Sequence, residues 1–176
     1  MNMRRTLSII VFGLAFFLAP QIGLVVTYAW WVVIVYEPDG TSIHSIPISE
    51  IDPSWSFADP LSKKDAVPPE ELDDFEKNYE SDGFSFSKEG DFNADGKRDR
   101  AIVGVYKDRA GKTGRFLLIL TETQRNKWVK SFLYKNPGKS GFSILHMEAG
   151  HLVWYFCMGC DIRSSVTWEK GRYKVR

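Results

Sequence analysis

The 176-residue chain has no charged residue between positions 6 and 36 and no acidic residue before Glu37. An apolar stretch of that length excludes a leaderless cytosolic polypeptide; the chain enters or crosses a membrane. Cysteine is scarce, with only two, neither near the N-terminus, so the thiol needed for lipid attachment there is missing. Histidine is nearly as rare, with three. No Ser-His-Asp order, paired catalytic carboxylates, phosphate loop or nucleotide fingerprint stands out. That alone does not exclude an enzyme, because active sites assemble in space rather than along the chain. The net charge of +1 argues against general nucleic-acid binding. What is present is 44% hydrophobic and 14% aromatic residues, the composition of a folded protein of one-domain size.

Arg4 and Arg5 followed by the uncharged run form the basic and apolar regions of an export signal. The run exceeds both the roughly 20 residues of a membrane span and the roughly 7 to 15 of a signal-peptide core, so it must be subdivided. Pro20 and Gln21 supply one division. Two readings stay open: a signal cleaved after Ala29, with Thr27 third before the cut, or an uncleaved anchor over residues 6–26 oriented by the two arginines. Residues 1–29 are thus a signal peptide or membrane anchor and 30–176 an extracytoplasmic domain, periplasmic or secreted. The membrane is involved only through that N-terminal helix.

Downstream, residues 30–36 are β-branched and aromatic and run into the turn signal Glu37-Pro38-Asp39-Gly40. An extended pattern resumes over 42–48, predicting a β-hairpin over 30–48. Residues 52–69, rich in Pro, Ser and Asp, read as an irregular connection pinned by Trp55 and Phe57. Pro68 and Pro69 followed by Glu70, Glu71 and Asp73 open a short helix with Leu72, Phe75 and Tyr79 on one face, the only helix expected in the mature domain. Strands are expected at 101–106, 115–122, 127–134, 142–147, 151–157 and 164–169. Their short links favour an antiparallel meander. Residues 116–120 and 152–156 are apolar at consecutive positions, which places them in central strands covered on both faces. The fold class is mainly β (α+β), a meander or sandwich-like domain with one short helix behind an N-terminal signal or anchor.

Charge is unevenly placed. Residues 37–100 carry a surplus of ten negative charges and residues 101–176 a surplus of nine positive ones. Either the halves pack together and neutralise, or a basic face is exposed to an anionic partner.

The segment 90–99 places oxygen-bearing side chains at Asp91, Asn93, Asp95 and Asp99, the alternation that wraps a hard cation such as calcium in a short loop. Gly96 permits the reversal, and the Lys97 carbonyl offers a further oxygen. Ile102 occupies the place of an EF-hand glutamate, which excludes that motif. Residues 90–106, Gly-Asp-Phe-Asn-Ala-Asp-Gly-Lys-Arg-Asp-Arg-Ala-Ile-Val-Gly-Val-Tyr, resemble the FG-GAP or VCBS repeat. That resemblance implies a calcium loop before an apolar strand, with Asp91, Asn93, Asp95 and Asp99 as side-chain ligands and Lys97 as the backbone ligand. It covers a single repeat, whereas a propeller needs several blades, so a full propeller is excluded. The alternative is an Asx-rich turn without metal, favoured by the neighbouring cations Lys97, Arg98 and Arg100.

Cys157 and Cys160 are expected to form a disulfide in an oxidising compartment. A strand before Cys157 lacks the helix N-terminus that thioredoxin-type chemistry uses, and Asp161 stands where haem attachment would require histidine. His146 and His151 are expected to face solvent beside the 148–150 turn. These features predict a non-enzymatic, calcium-stabilised binding or structural module of the cell envelope, its partner a protein or envelope component. The alternative is an exported thiol-disulfide or hydrolytic enzyme.

Overall fold

The computed structural model describes residues 4–6, 29–125 and 127–176, and of residues 4–6 the backbone alone. The signal or anchor at 1–29 therefore lies almost wholly outside the described residues. In chain order the elements are β1 (Arg4–Thr6), α1 (Trp30–Val33), β2 (Val35–Glu37), β3 (Ser42–Ile43), β4 (Ile46–Pro47), α2 (Ile48–Ile51), β5 (Trp55–Pro60), α3 (Lys63–Ala66) and α4 (Leu72–Phe75). They continue as β6 (Ser87–Gly90), β7 (Asp99–Asp108), β8 (Thr113–Gln124), β9 (Lys127–Pro137), β10 (Ile144–Glu148), β11 (His151–Tyr155), β12 (Arg163–Glu169) and β13 (Arg172–Val175). Among the described residues no helix is long and apolar enough to cross a membrane.

Two antiparallel sheets dominate. One has the order β5-β7-β8-β9, with β6 also pairing β7; the other is the meander β10-β11-β12-β13. Strands β7 and β8 are long because Ala101–Tyr106 and Phe116–Leu120 are almost uninterrupted apolar sequence, suited to a sheet buried on both sides. Their side chains divide by parity. Ala101, Val103, Val105, Leu117 and Ile119 join a core cluster with Phe75 of α4 and with Ile144, Leu152 and Trp154 of the meander. Ile102, Tyr106, Phe116, Leu118 and Leu120 join a second cluster with Ile43, Ile48, Ile51 and Trp55. The expected double coverage of residues 116–120 is thus observed.

The meander turns tightly. Ala149 and Gly150 link β10 to β11 with φ of 47° and 80°, and Lys170 and Gly171 link β12 to β13 with φ of 51° and 75°. Left-handed backbone at both central residues matches the twist of antiparallel strands.

Three sequence expectations are corrected. Residues 30–48 are not a hairpin. Trp30–Val33 is a helical turn, and β2 pairs with β1, not with the residues after Gly40. Asp59 explains this: its buried carboxylate accepts the N–H groups of Asp39 (2.7 Å) and Gly40 (3.0 Å), tying the turn to β5. Ser42–Ile43 then closes its own small hairpin with Ile46–Pro47 through left-handed His44 and Ser45.

The 52–69 connection is not wholly irregular, since Trp55–Pro60 forms a sheet-edge strand with proline at its last position, where a missing N–H is tolerated. Trp55 is buried as expected, but Phe57 is exposed. The acidic helix is not the only one: it continues through a 3-10 turn at Pro69–Glu71 and a π turn at Glu76–Glu80, and α1, α2 and α3 are further single turns. Its apolar face is as expected, with Phe75 buried and Leu72 and Tyr79 packed on the same cluster.

Candidate functional site

The aspartate loop joins β6 to β7 and is folded by its own carboxylates. Asp91 accepts the N–H of Asp95 (3.1 Å) and of Gly96 (2.9 Å), Asn93 Oδ1 accepts that of Asp95 (3.0 Å), and Asp95 accepts that of Lys97 (2.9 Å). Ala94 and Gly96 adopt φ of 56° and 78°, the left-handed region such a reversal needs. Lys97 Nζ lies 3.6 Å from Asp95. The other two cations of the segment are engaged elsewhere. Arg98 bonds Glu122, Arg100 bonds Glu89, and both guanidiniums stack over the Trp128 ring, at 5.2 and 5.0 Å.

Asp99 behaves differently from the other loop acids. It is fully buried as the first residue of β7, where it accepts the Phe92 N–H (2.9 Å), the Thr121 hydroxyl and the Tyr173 hydroxyl (3.2 Å). Burial, and next the adjacent Asp99 charge, push the Tyr173 phenol well above its ordinary value. The five predicted ligands therefore divide. Asp91, Asn93, Asp95 and the Lys97 backbone belong to one turn, while Asp99 anchors that turn to both sheets. Among the described residues no three His, Cys, Asp or Glu side chains gather into a metal-holding group. A carboxylate offers about four lone-pair sites. Asp91 and Asp95 thus keep acceptor capacity beyond their backbone bonds, and the oxygen donors of Asp91, Asn93 and Asp95 are of the type a hard cation takes. Asp99 is committed to the fold.

Beside this loop lies a cleft of about 170 Å³. Glu89, Asp91 and Phe92 form one wall; the opposite wall comes from the meander, with Met147, Trp168 and Tyr173. Met147 and Trp168 are large apolar side chains left 37% and 40% exposed, so the cleft pairs an acidic lip with an aromatic and thioether floor. Sequence reading missed this surface. Tyr173 sits on β13, a four-residue strand with two basic residues, and nothing in the linear order brings Phe92 near Trp168.

Cys157 and Cys160 lie at disulfide distance, with Cα atoms 5.9 Å apart, in the loop after β11. His151 is exposed as expected, but His146 is not solvent-facing. Its ring stacks on Phe84 at 4.4 Å and Nε2 donates to the Asp82 carbonyl at 2.9 Å, because the Asp82–Phe84 segment lies against that end of β10. No protein-family model, curated protein or solved structure matches the chain.

Proposed function

We propose that this chain is a non-enzymatic extracytoplasmic module of the cell envelope that binds a segment of a partner protein in the cleft beside the aspartate loop. The observation that carries the reading is the pairing of exposed Met147 and Trp168 with Phe92 under the lip of Glu89 and Asp91. Aromatic and thioether side chains supply adaptable apolar contact, the composition favoured at binding surfaces. The fitting occupant is an aromatic or long aliphatic side chain on an extended segment. Calcium held by Asp91, Asn93, Asp95 and the Lys97 carbonyl would stiffen the wall that carries Phe92, a role supported by the resemblance of residues 90–106 to calcium-binding repeats. Export is supported by the N-terminal sequence and is compatible with the cysteine pair.

The test is photo-cross-linking in intact cells with a photoreactive residue at position 147, and with one at exposed Lys112 as the control. A discrete adduct from position 147, absent from 112 and lost in Trp168→Ala, is expected. Equal adducts from both positions, or an adduct indifferent to Trp168→Ala, would overturn the assignment.

A further inference from the structure

Arg115 lies on β8 six residues before Thr121, roughly 20 Å from the aspartate-loop end of the core. Its position shares parity with Leu117 and Ile119, so it belongs to the face that meets the meander. The guanidinium is half-buried, with Cζ 5.3 Å from the Phe156 ring centroid. A Cβ on Gly141 would stand 2.7 Å from Arg115 Nη2; the glycine makes room for the cation against the backbone.

No carboxylate accompanies this charge. Among the described residues no hydrogen bond or ion pair reaches the guanidinium, and its Nε is buried without an acceptor. Positions 1–28 and 126 contain no Asp or Glu, so the partner cannot come from there. The Tyr36 phenol acts on the charge from one side, and beside Gly141 stands another cation. Lys139, two residues before Gly141, donates to the Val32 carbonyl, and it and Arg115 repel each other enough to depress the Lys139 ammonium further, after burial itself. The two cations meet at Gly141, where a Cβ would lie 2.7 Å from Arg115 Nη2 and 3.4 Å from Lys139 Cδ; Arg115 has the Phe156 ring face and Lys139 the Val32 carbonyl, and neither has a carboxylate. A half-buried charge in that state is costly unless a counter-ion joins it.

We propose that Arg115 and Lys139 form a binding site for one phosphate-type oxyanion. A guanidinium presents parallel donors that match two oxygens of one phosphate, and an ammonium adds a point charge at the side. The oxyanion could be free phosphate or a phospholipid headgroup. The second source is within reach because Lys139 touches the Trp30–Val33 turn, which belongs to the uncharged N-terminal run.

The experiment uses the full chain in an uncharged detergent. Its melting temperature is followed while inorganic phosphate replaces chloride at constant ionic strength, and its binding to vesicles of phosphatidylglycerol is compared with binding to phosphatidylcholine alone. Wild type should show a saturable rise of several degrees with phosphate, or a preference for the anionic vesicles, or both. The first response alone assigns the soluble ion and the second the headgroup. Arg115→Gln should lose the response while melting no lower than wild type in phosphate-free chloride, since the variant removes an uncompensated charge. Lys139→Gln, at an exposed position, should raise the phosphate midpoint about tenfold. A wild type indifferent to both probes, or a response that survives in Arg115→Gln, overturns the site.

Discussion

The Tyr173 hydroxyl donates to Asp99 Oδ2 at 3.2 Å, joining residues 74 positions apart and the two sheets they belong to. Asp99 is buried with two other donors, so Tyr173→Phe removes one of three and should cost about 1–2 kcal/mol, measured by urea unfolding at neutral pH.

The same contact sets an alkaline limit. A phenol whose value is raised in the fold contributes stability that is complete below its unfolded value, about 10, and lost as pH climbs toward the folded one. Wild type should lose stability above about pH 10, and Tyr173→Phe should lose less over the same range. Equal slopes would show that Tyr173 ionises freely in the fold.

Gly104 on β7 leaves no room for a side chain. A Cβ there would lie 2.3 Å from Phe116 Cζ and 2.4 Å from the Asp59 carbonyl oxygen. Gly104→Ala should destabilise by at least about 1–3 kcal/mol, the usual cost of overpacking. Shrinking Phe116 to Leu in the same chain should restore only part, because the backbone oxygen stays in place. Full rescue would locate the clash in the ring alone.

The aspartate loop predicts a cation-dependent melt. A ligand that binds only the native state adds about 2.7 kcal/mol at 100 times its dissociation constant, several degrees for a domain of this size. Melting in excess calcium should exceed melting in chelator for wild type, and Asp95→Ala should abolish the difference. Identical wild-type curves would leave the loop as an Asx turn closed by backbone N–H groups.

Glu148 governs a weaker acid limb. The Tyr155 hydroxyl, and then Arg163, hold its carboxyl below the ordinary range. Depression of a carboxyl gives stability that is present above about pH 4.3 and lost as pH falls through the folded value. Glu148→Gln should therefore show a shallower loss in acid than wild type, a small effect because the group is partly solvated. No change in slope would mean that the pairing is not kept in solution.

Legibility followed how local each signal was. Strands β7, β8 and β9 were visible because long apolar or alternating runs need no partner to be recognised. Strand β5 was not, since Ser56, Asp59 and Pro60 read as loop until Asp59 is seen accepting N–H groups from Asp39 and Gly40. Strand β13 is four residues with alternating basic side chains, and only its pairing with β12 reveals it. Of the site, Asp91, Asn93 and Asp95 could be read as one turn. The different fate of Asp99 could not, because its partners Thr121 and Tyr173 are supplied by strand register and sheet packing. The cleft was hidden for the same reason.

Among the described residues strand β9 pairs only with β8, which leaves its eleven residues along a sheet margin. Such a margin is a template for addition of another chain and hence for aggregation. Lys127, Lys130 and Lys135 are spaced along it, Pro137 ends it, and register shifts between Ile119 and Leu120 and between Glu122 and Gln124 bend it. Part of the basic surplus of the C-terminal half therefore lies where a second chain would have to add, and bringing like charges together there disfavours such pairing.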